Sequence, residues 1–313
     1  MLISVALPIY NGMPFLNDAV SSILAQDIEL ELIVSDDGSS DESVEVVRRI
    51  SDSRLRHLTN STNAGIFGNL NRCIAAARGE YVQVFSQDDL MKPGFLASQV
   101  RSLQANPGAG LVYGTPDYID EKGGVIWTHL RDDTPEIVDR KLYLWIASHF
   151  GALPPSISSI MIPRRVFDAI GLFNADYRVA GDIEFYNRVA ERYPLLCNKE
   201  VLHSVRSHPR MTSALSSAGP LYLREERALD PWYRSHWSAR DYRKVQRFRS
   251  ATRGRFHLGW IRRTVLNGRV GAAALAFREL GGVYPLYWVI WWGILGMFRP
   301  GWKPRPTISP PQQ

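Results

Sequence analysis

Apolar and polar positions alternate in blocks along the first third of the chain. Short runs rich in apolar residues, typical of buried strands, are Ile3–Tyr10, Glu31–Ser35 and Tyr81–Phe85. A further strand is predicted near Leu55–Leu58, and a fifth begins at Leu111. Amphipathic stretches separate the runs, with apolar residues recurring every three or four positions, as in helices packed on one side. The resulting β-α-β order with short loops predicts an α/β fold: a mostly parallel sheet with helices on both faces.

Three of the predicted strands end in residues that carry chemistry. They are Pro8-Ile9-Tyr10-Asn11, Ser35-Asp36-Asp37-Gly38 and Gln87-Asp88-Asp89. Ligands of parallel sheets bind at the carboxyl ends of the strands, so these residues are expected around one crevice. The acidic residues of the second strand end, with Asp41, have an alternative role as caps of the next helix.

The adjacent carboxylates of Asp88 and Asp89 indicate a cation. Two neighbouring negative charges repel each other, and Mg²⁺ or Mn²⁺ prefers carboxylate oxygens while sharing its shell with substrate phosphates. Neither GxxxxGK[ST] nor a GxGxxG after the first strand occurs in the chain. A nucleotide at this crevice would therefore depend on a metal and on strand-end contacts.

Composition narrows the class of protein. Of the 313 residues 45% are hydrophobic and 22% are charged, which is the composition of a typical globular protein and excludes a wholly disordered chain. Two cysteines, Cys73 and Cys197, exclude a disulfide scaffold and favour a reducing compartment. The start, MLISVALPIYNG, lacks a basic stretch before its apolar run, so we interpret it as a strand and not as a signal peptide.

The net charge of +6 is distributed unevenly. Residues 1–150 hold 12 Lys/Arg against 20 Asp/Glu, whereas residues 220–313 hold 17 against five. The acidic N-terminal half could bind a cation, and the basic C-terminal part could bind an anionic partner.

Taken in order, several segments resemble family 2 of the inverting glycosyltransferases, of the type that builds bacterial cell-surface polysaccharides. The segments are VALPIYNG, VSDDGSSD, Asn63-Ala64-Gly65 with Asn71 six residues on, ARGEYV at 77–82 and Gln87-Asp88-Asp89, followed more loosely by SSIMIPRR at 158–165, Gly171-Leu172-Phe173, Gly181-Asp182-Ile183-Glu184 with Arg188, and Val205-Arg206-Ser207-His208. The resemblance covers about residues 1–215. It implies the GT-A fold, a Rossmann-like α/β sandwich that binds a nucleotide sugar.

The resemblance also implies an activity and roles for single residues. The enzyme would be a hexosyl- or deoxyhexosyltransferase that moves a sugar, with inversion, from a nucleoside-diphosphate donor to an acceptor hydroxyl. A UDP- or dTDP-sugar donor and a glycan or polyprenyl-linked acceptor are expected. The implied roles are donor binding for Pro8, Tyr10, Asn11 and Asn71, a nucleobase contact for Asp37, a ribose or diphosphate contact for Asp88, the Mn²⁺ or Mg²⁺ ligand for Asp89, diphosphate or loop contacts for Arg206 and His208, and the general base for Asp182.

Two positions depart from the family pattern. Gly181 stands where an acidic residue often precedes the base, and Ser86 stands where the family has an aspartate two residues before the acidic pair. The carboxylates assigned to chemistry are all present. For Asp182 the alternative role is a plain helix cap.

The C-terminal part indicates a membrane surface. Residues Leu221–Arg263 look helical, basic and aromatic, 264–280 are amphipathic, and Val283–Phe298 is a 16-residue run without a charge. A spanning helix needs about 20 apolar residues, so an aromatic segment lying among lipid headgroups fits better. This predicts a protein peripheral to the cytoplasmic face of the cell membrane, binding anionic lipid. Packing on the catalytic domain or on a second subunit is the alternative, and nucleic acid is not expected.

These inferences define an expected organisation. It comprises a catalytic domain at 1–218, divided into a donor half (1–115) and an acceptor half (116–218), a helical extension at 219–303 and a disordered tail at 304–313. Two other functions remain open. A sugar nucleotidyltransferase would normally carry a glycine- and lysine-bearing phosphate loop after the first strand, and a non-catalytic membrane or interaction protein could retain the same fold.

Overall fold

The chain divides into two compact units. The first comprises Met1–Arg140 with Pro154–His208, and the second comprises Lys141–Leu153 with Pro209–Gln313. The predicted domain boundaries stay predictions, and the tail at 304–313 lies outside the described residues. The computed structural model describes residues 1–60, 62–128, 134–151, 153–211 and 218–298.

The first unit is built on a ten-stranded sheet within the described part of the chain. The predicted α/β class is confirmed, and all five predicted strands form. The strands are β1 (Ile3–Ile9), β2 (Leu30–Asp36), β3 (Leu55–Thr59), β4 (Tyr81–Val84), β5 (Leu90–Met91), β6 (Leu111–Ile119), β7 (Val125–Thr128), β8 (Ile137–Val138), β9 (Ile160–Pro163) and β10 (Leu195–Arg206).

The order of the strands is β3-β2-β1-β4-β9-β6-β10-β5, with β7 beside β6 and β8 beside β10. Strands β3, β2, β1 and β4 are all parallel, and Ile9 of β1 lies level with Asp36 of β2. Strand β9 is antiparallel to both β4 and β6. The parallel half therefore ends in one polar edge, as the sequence pattern predicts.

Helix α1 (Leu16–Leu24) buries one face against the sheet of the first unit. In α1 the buried residues Leu16, Ala19, Val20 and Ile23 share one side of the helix, and they join an apolar core with β1 and β2. The helices of the first unit are α1 (Leu16–Leu24), α2 (Ser43–Arg49), α3 (Gly65–Ala76), α4 (Phe95–Ala105), α6 (Arg164–Ile170) and α7 (Gly181–Arg192).

The second unit is helical, which confirms the predicted helical extension. Its core is small and includes Leu223, Ile261, Leu280 and Val289. The helices are α5 (Arg140–Phe150), α8 (Ala218–Ser235), α9 (Ala239–Arg249), α10 (Arg255–Leu266), α11 (Val270–Val283) and α12 (Leu286–Phe298), with a π-helix at Ser250–Gly254 between α9 and α10.

A buried ionic cluster lies in this helical unit. Glu226 accepts hydrogen bonds from Arg249 Nη2 at 3.0 Å and from the Tyr284 hydroxyl at 2.6 Å, and Arg253 Nη2 lies 3.2 Å away. Burial alone would raise the pKa of Glu226, but the charges of Arg253 and Arg249 lower it to about 2. The carboxylate is thus held ionised inside the unit by its two arginine partners.

The uncharged run Val283–Phe298 forms the last residue of α11, a short turn and the whole of α12. Tyr284 and Val289 are buried within the second unit, whereas Tyr287 and Trp291 are exposed. None of the helices in the described ranges is both long enough and apolar enough to cross a bilayer.

Candidate functional site

The turn after β1 is fixed by a glutamine from another strand end. Gln87 Oε1 accepts from the Tyr10 amide at 2.8 Å, and its Nε2 donates to the Tyr10 carbonyl at 3.0 Å. Asn11 has a left-handed backbone, φ 50°, and its Oδ1 accepts from the Ser40 amide at 2.8 Å. Pro8 is half-buried on β1, and the Tyr10 ring is exposed. These bonds bring the three predicted strand ends together and leave the Tyr10 ring facing solvent.

Asp37 is buried and holds the first turn of α3. Its Oδ1 accepts from Asn60 Nδ2 and from the Ala64 amide, both at 2.8 Å, and its Oδ2 accepts from the Gly65 amide at 2.9 Å. A helix start has unpaired amides that a carboxylate satisfies well. Asp37 therefore caps a helix, but that helix is α3 and not the next one along the chain. The nucleobase contact implied for Asp37 stays a prediction.

The two adjacent carboxylates have different surroundings. Asp89 is 3% exposed, its Oδ1 accepts from the Arg206 amide at 2.9 Å, and its Oδ2 accepts from the Ser158 hydroxyl. The Asp88 side chain is 21% exposed, and its Oδ2 lies 2.9 Å from His208 Nε2. Burial, and then the charge of Asp88, raises the pKa of Asp89 to about 8. Asp88 thus presents the accessible carboxylate, and Asp89 lies behind it.

The side chains of Arg206 and His208 are both largely buried, at 3% and 6% exposed, and they have different partners. The Arg206 guanidinium is buried and donates to the carbonyls of Asp88, Asp120 and Glu121 at 3.0–3.2 Å. It thereby fixes the main chain beneath Asp88, and the diphosphate contact implied for it stays a prediction. The His208 ring lies 4.8 Å from the Phe15 ring, and its Nδ1 is buried without a hydrogen-bond partner among the described residues.

Asp182 lies in the first turn of α7, where a carboxylate interacts favourably with the helix dipole. Its Oδ1 accepts from the Ile183 amide at 2.8 Å. A Cβ at the preceding Gly181 would come within 2.6 Å of the Phe67 ring, which explains why an acidic residue is absent there. Because Phe67 is on α3, the start of α7 packs against the same end of α3 that Asp37 caps.

Two further residues at this edge have roles that the sequence did not indicate. The Asn71 side chain donates to the Phe173 carbonyl at 2.7 Å and accepts from the Phe173 amide at 3.0 Å, so it fixes a loop, and its implied donor contact stays a prediction. Arg178 was missed: its guanidinium lies over Gly65, where a Cβ would come within 2.1 Å of Nη1. Gly65 has a positive φ of 74°, a conformation that favours glycine. The sequence shows that residue 65 is a glycine, but not that an arginine side chain lies against it.

The same edge offers few ligands for a cation. Across the described ranges, no group of three or more His, Cys, Asp or Glu side chains converges as a metal site would require. Asp88 Oδ2 and His208 Nε2 do converge, at 2.9 Å. A carboxylate such as Asp88 suits Mg²⁺ or Mn²⁺ when substrate phosphates and water complete the shell, whereas an imidazole is a less typical ligand for either ion.

Comparisons with known proteins agree with this architecture. A family model described as Glycosyl transferase family 2 matches residues 4–169. An uncharacterized glycosyltransferase of Haemophilus influenzae is 30% identical over 221 residues, which are 68% of this chain and 68% of the relative. An uncharacterized glycosyltransferase of Rickettsia felis is 28% identical over 215 residues, covering 68% of this chain and 35% of the relative. The chain thus spans about a third of the length of the first curated relatives it matches.

Solved structures show the same fold. S. aureus TarS 1-349 in complex with UDP superposes with a TM-score of 0.58 at 16% identity, covering 97% of this chain and 93% of that one. TarS 1-349 in complex with UDP-GlcNAc gives a TM-score of 0.56 at 19% identity, covering 78% of this chain and 70% of that one.

Proposed function

Because this chain belongs to glycosyl transferase family 2 and has the GT-A fold, we propose that it transfers a sugar from a nucleoside-diphosphate donor to an acceptor hydroxyl with inversion. One observation carries the proposal: Asp37 caps the beginning of α3, and the start of α7, which bears Asp182, packs against that same end of α3. This packing supports the proposal of a nucleotide site and a base at the same edge of the sheet.

The proposed donor lies across the ends of β1 and β2. The exposed Tyr10 ring offers a face for a base or ribose, and Pro8, Asn11 and the Asp37 turn line the same edge. TarS has been solved with UDP and with UDP-GlcNAc, which favours a UDP-sugar over the dTDP-sugar that the sequence leaves open.

We propose that Asp88 and His208 hold a divalent cation, Mn²⁺ or Mg²⁺, with the diphosphate of the donor. The cation would stabilise the charge that accumulates on the departing nucleoside diphosphate. The two oxygens of Asp89 already accept hydrogen bonds, so the geometry favours Asp88 over Asp89 as the direct ligand. Asp89 then acts by orienting its neighbour.

Asp182 is proposed as the general base. An acceptor hydroxyl has a high pKa, so a positioned carboxylate must accept its proton as the new bond forms. Phe185 and Val189 on the same helix are fully buried and fix the orientation of α7. A hexosyl or deoxyhexosyl group as the transferred sugar, and a glycan or polyprenyl-linked acceptor at the cytoplasmic face of the membrane, complete the proposal.

Nucleotide-dependent thermal stability tests the donor site. UDP, GDP, dTDP and CDP are added with and without Mn²⁺, and a ligand at a hundred times its dissociation constant should add about 2.7 kcal/mol. We expect one nucleotide to stabilise the protein only with metal, and this effect to disappear in Asp88→Asn. A metal-dependent shift that survives Asp88→Asn but is lost in Asp89→Asn would instead support the ligand implied by the sequence.

Variants of the base separate binding from catalysis. Asp182→Asn should keep the nucleotide-dependent shift and reduce donor turnover by about 10²–10⁴-fold. The exposed Asp176, six residues earlier, is a matched control, and Asp176→Asn should change neither property. If none of the four nucleotides raises the melting temperature of a well-folded protein, the result would support the non-catalytic alternative.

A further inference from the structure

The outer side of helix α10 exposes apolar residues between arginines. Phe256, Gly259, Arg263 and Leu266 recur at the spacing of one helix face, opposite the buried His257, Ile261 and Thr264. Phe256 is 65% exposed and Leu266 is 73% exposed, and Val270, after a three-residue turn, is 62% exposed. We call the set of Arg255, Phe256, Gly259, Arg262, Arg263 and Leu266 the α10 face.

The charge around the α10 face has a single sign. Residues 242–278 contain ten Lys/Arg and neither Asp nor Glu. Four of the ten pair with carboxylates: Arg249 and Arg253 with the buried Glu226, and Lys244 and Arg278 with Asp241 and Glu279, which flank this segment. In the part of the chain that the structure describes, ion pairs to a carboxylate are absent for Arg255, Arg262, Arg263 and Arg269. The surface therefore carries positive charge that the protein itself does not neutralise.

An open groove of about 390 Å³ lies on this face at Gly259. A Cβ at Gly259 would meet nothing within 4 Å, so the missing side chain leaves a notch. Arg255 and Arg263 lie one helical turn before and one after the notch, on the same side of the helix. The groove is lined by Ala251, Thr252, Arg255, Phe256, Gly259 and Arg263.

We propose that the α10 face is the membrane-contacting surface of this protein, with the phosphate of an anionic phospholipid in the groove at Gly259. Arg255 and Arg263 contact the phosphate, and Phe256 and Leu266 enter the boundary between headgroups and acyl chains. The inference rests on the membrane association in the proposed function. It moves the contact from the uncharged α12 to α10 and the turn before α11.

Charge and side-chain type favour a bilayer over the other possible occupants. A two-fold contact between two copies would set arginines against arginines, and the segment offers no carboxylate to pair with them. Nucleic acid would meet the arginines and could stack one base on Phe256, but the exposed Leu266 and Val270 are aliphatic and give further bases no ring to stack on. A lipid surface satisfies both the charge and the exposed apolar area.

Flotation of the full chain with vesicles tests the proposal. Phosphatidylcholine vesicles with and without phosphatidylglycerol are compared for wild type, Gly259→Glu and Ala239→Glu. The new carboxylate at 259 lies four residues from both Arg255 and Arg263 and would occupy the phosphate position. Ala239, at the exposed start of α9, provides a control with the same change of charge in the same unit.

We expect wild type to bind only the anionic vesicles. One arginine near an anionic surface strengthens binding about fivefold. The carboxylate of Gly259→Glu would pair with both Arg255 and Arg263, so we expect it to weaken binding about 25-fold. Ala239→Glu should weaken it by less than about fivefold. Leu266→Asn, at a side chain that is mostly exposed, should weaken binding without lowering the melting temperature.

Three results would overturn the proposal. They are a folded wild type that does not float, equal losses in Gly259→Glu and Ala239→Glu, and stronger binding of duplex DNA or single-stranded RNA than of anionic vesicles. The thermal shift with UDP and Mn²⁺, measured on the same variants, reports the donor site in the first unit. It should not change in Gly259→Glu, so failure of the membrane surface is distinguishable from failure of the transferase assignment.

Discussion

Replacing Asp37 by asparagine separates a structural role from a nucleobase contact. In Asp37→Asn the Oδ1 acceptor for Asn60 and the Ala64 amide remains, but the NH₂ group that replaces Oδ2 faces the Gly65 amide, donor against donor. One charge-assisted hydrogen bond is lost, at about 1.5–3 kcal/mol, and two others weaken because their acceptor is neutral. We expect a total loss of about 3 kcal/mol of unfolding free energy.

Urea denaturation measures this loss directly, and hydrogen exchange of the Gly65 amide should accelerate in the variant. Asp27→Asn, at an exposed aspartate in the loop before β2, is the matched control and should change little. The reasoning would be refuted by an Asp37→Asn protein that keeps its full stability but no longer binds a uridine nucleotide. In that case Asp37 would serve the ligand and not the turn.

Three other predictions concern buried groups. Burial lowers the pKa of His203 from 6.5 to about 3, so its contribution to stability is present above pH 6.5 and is lost as the pH falls toward 3. His203→Leu should remove up to about 1.4 kcal/mol of acid destabilisation per pH unit, seen in the pH dependence of urea unfolding. Gly181→Ala should cost about 1–3 kcal/mol through its contact with Phe67, and Phe67→Leu should restore most of that loss; a calorimetric melt that is unchanged in Gly181→Ala would contradict the contact. Glu226→Gln should cost about 3–5 kcal/mol, since it leaves the buried Arg253 without its carboxylate and Arg249 with Asp230 alone, and unaltered unfolding of the helical unit would argue against a charged cluster.

Local pattern was enough to predict the parallel half of the sheet. The runs at Ile3–Ile9 and Leu30–Asp36 are mostly apolar and are buried along almost their whole length, and the loops after them contain turn formers, so both the strands and their polar edge can be predicted from the sequence. Strand β9 could not be placed in the same way. It has four residues, and its antiparallel partners, β4 and β6, lie far away in sequence.

The site shows a similar division. The sequence indicated which carboxylates lie at the edge, but not what each one contacts. Asp37 is held by amides 27 and 28 residues later, and Asp89 by Ser158, 69 residues away. Such partners are decided by tertiary packing, and adjacent Asp88 and Asp89 look equivalent until burial distinguishes them.

The beginning of α3 bears on the kinetic order of the proposed reaction. Gly65 in its first turn contacts Arg178 and Asp37, and Phe67, two residues on, contacts Gly181 beside the proposed base. A nucleotide that orders Asp37 and the first turn of α3 would thereby also order the segment that carries Asp182, before any acceptor binds. We expect an ordered sequential mechanism in which the donor binds first, and acceptor affinity that rises once the nucleotide is in place.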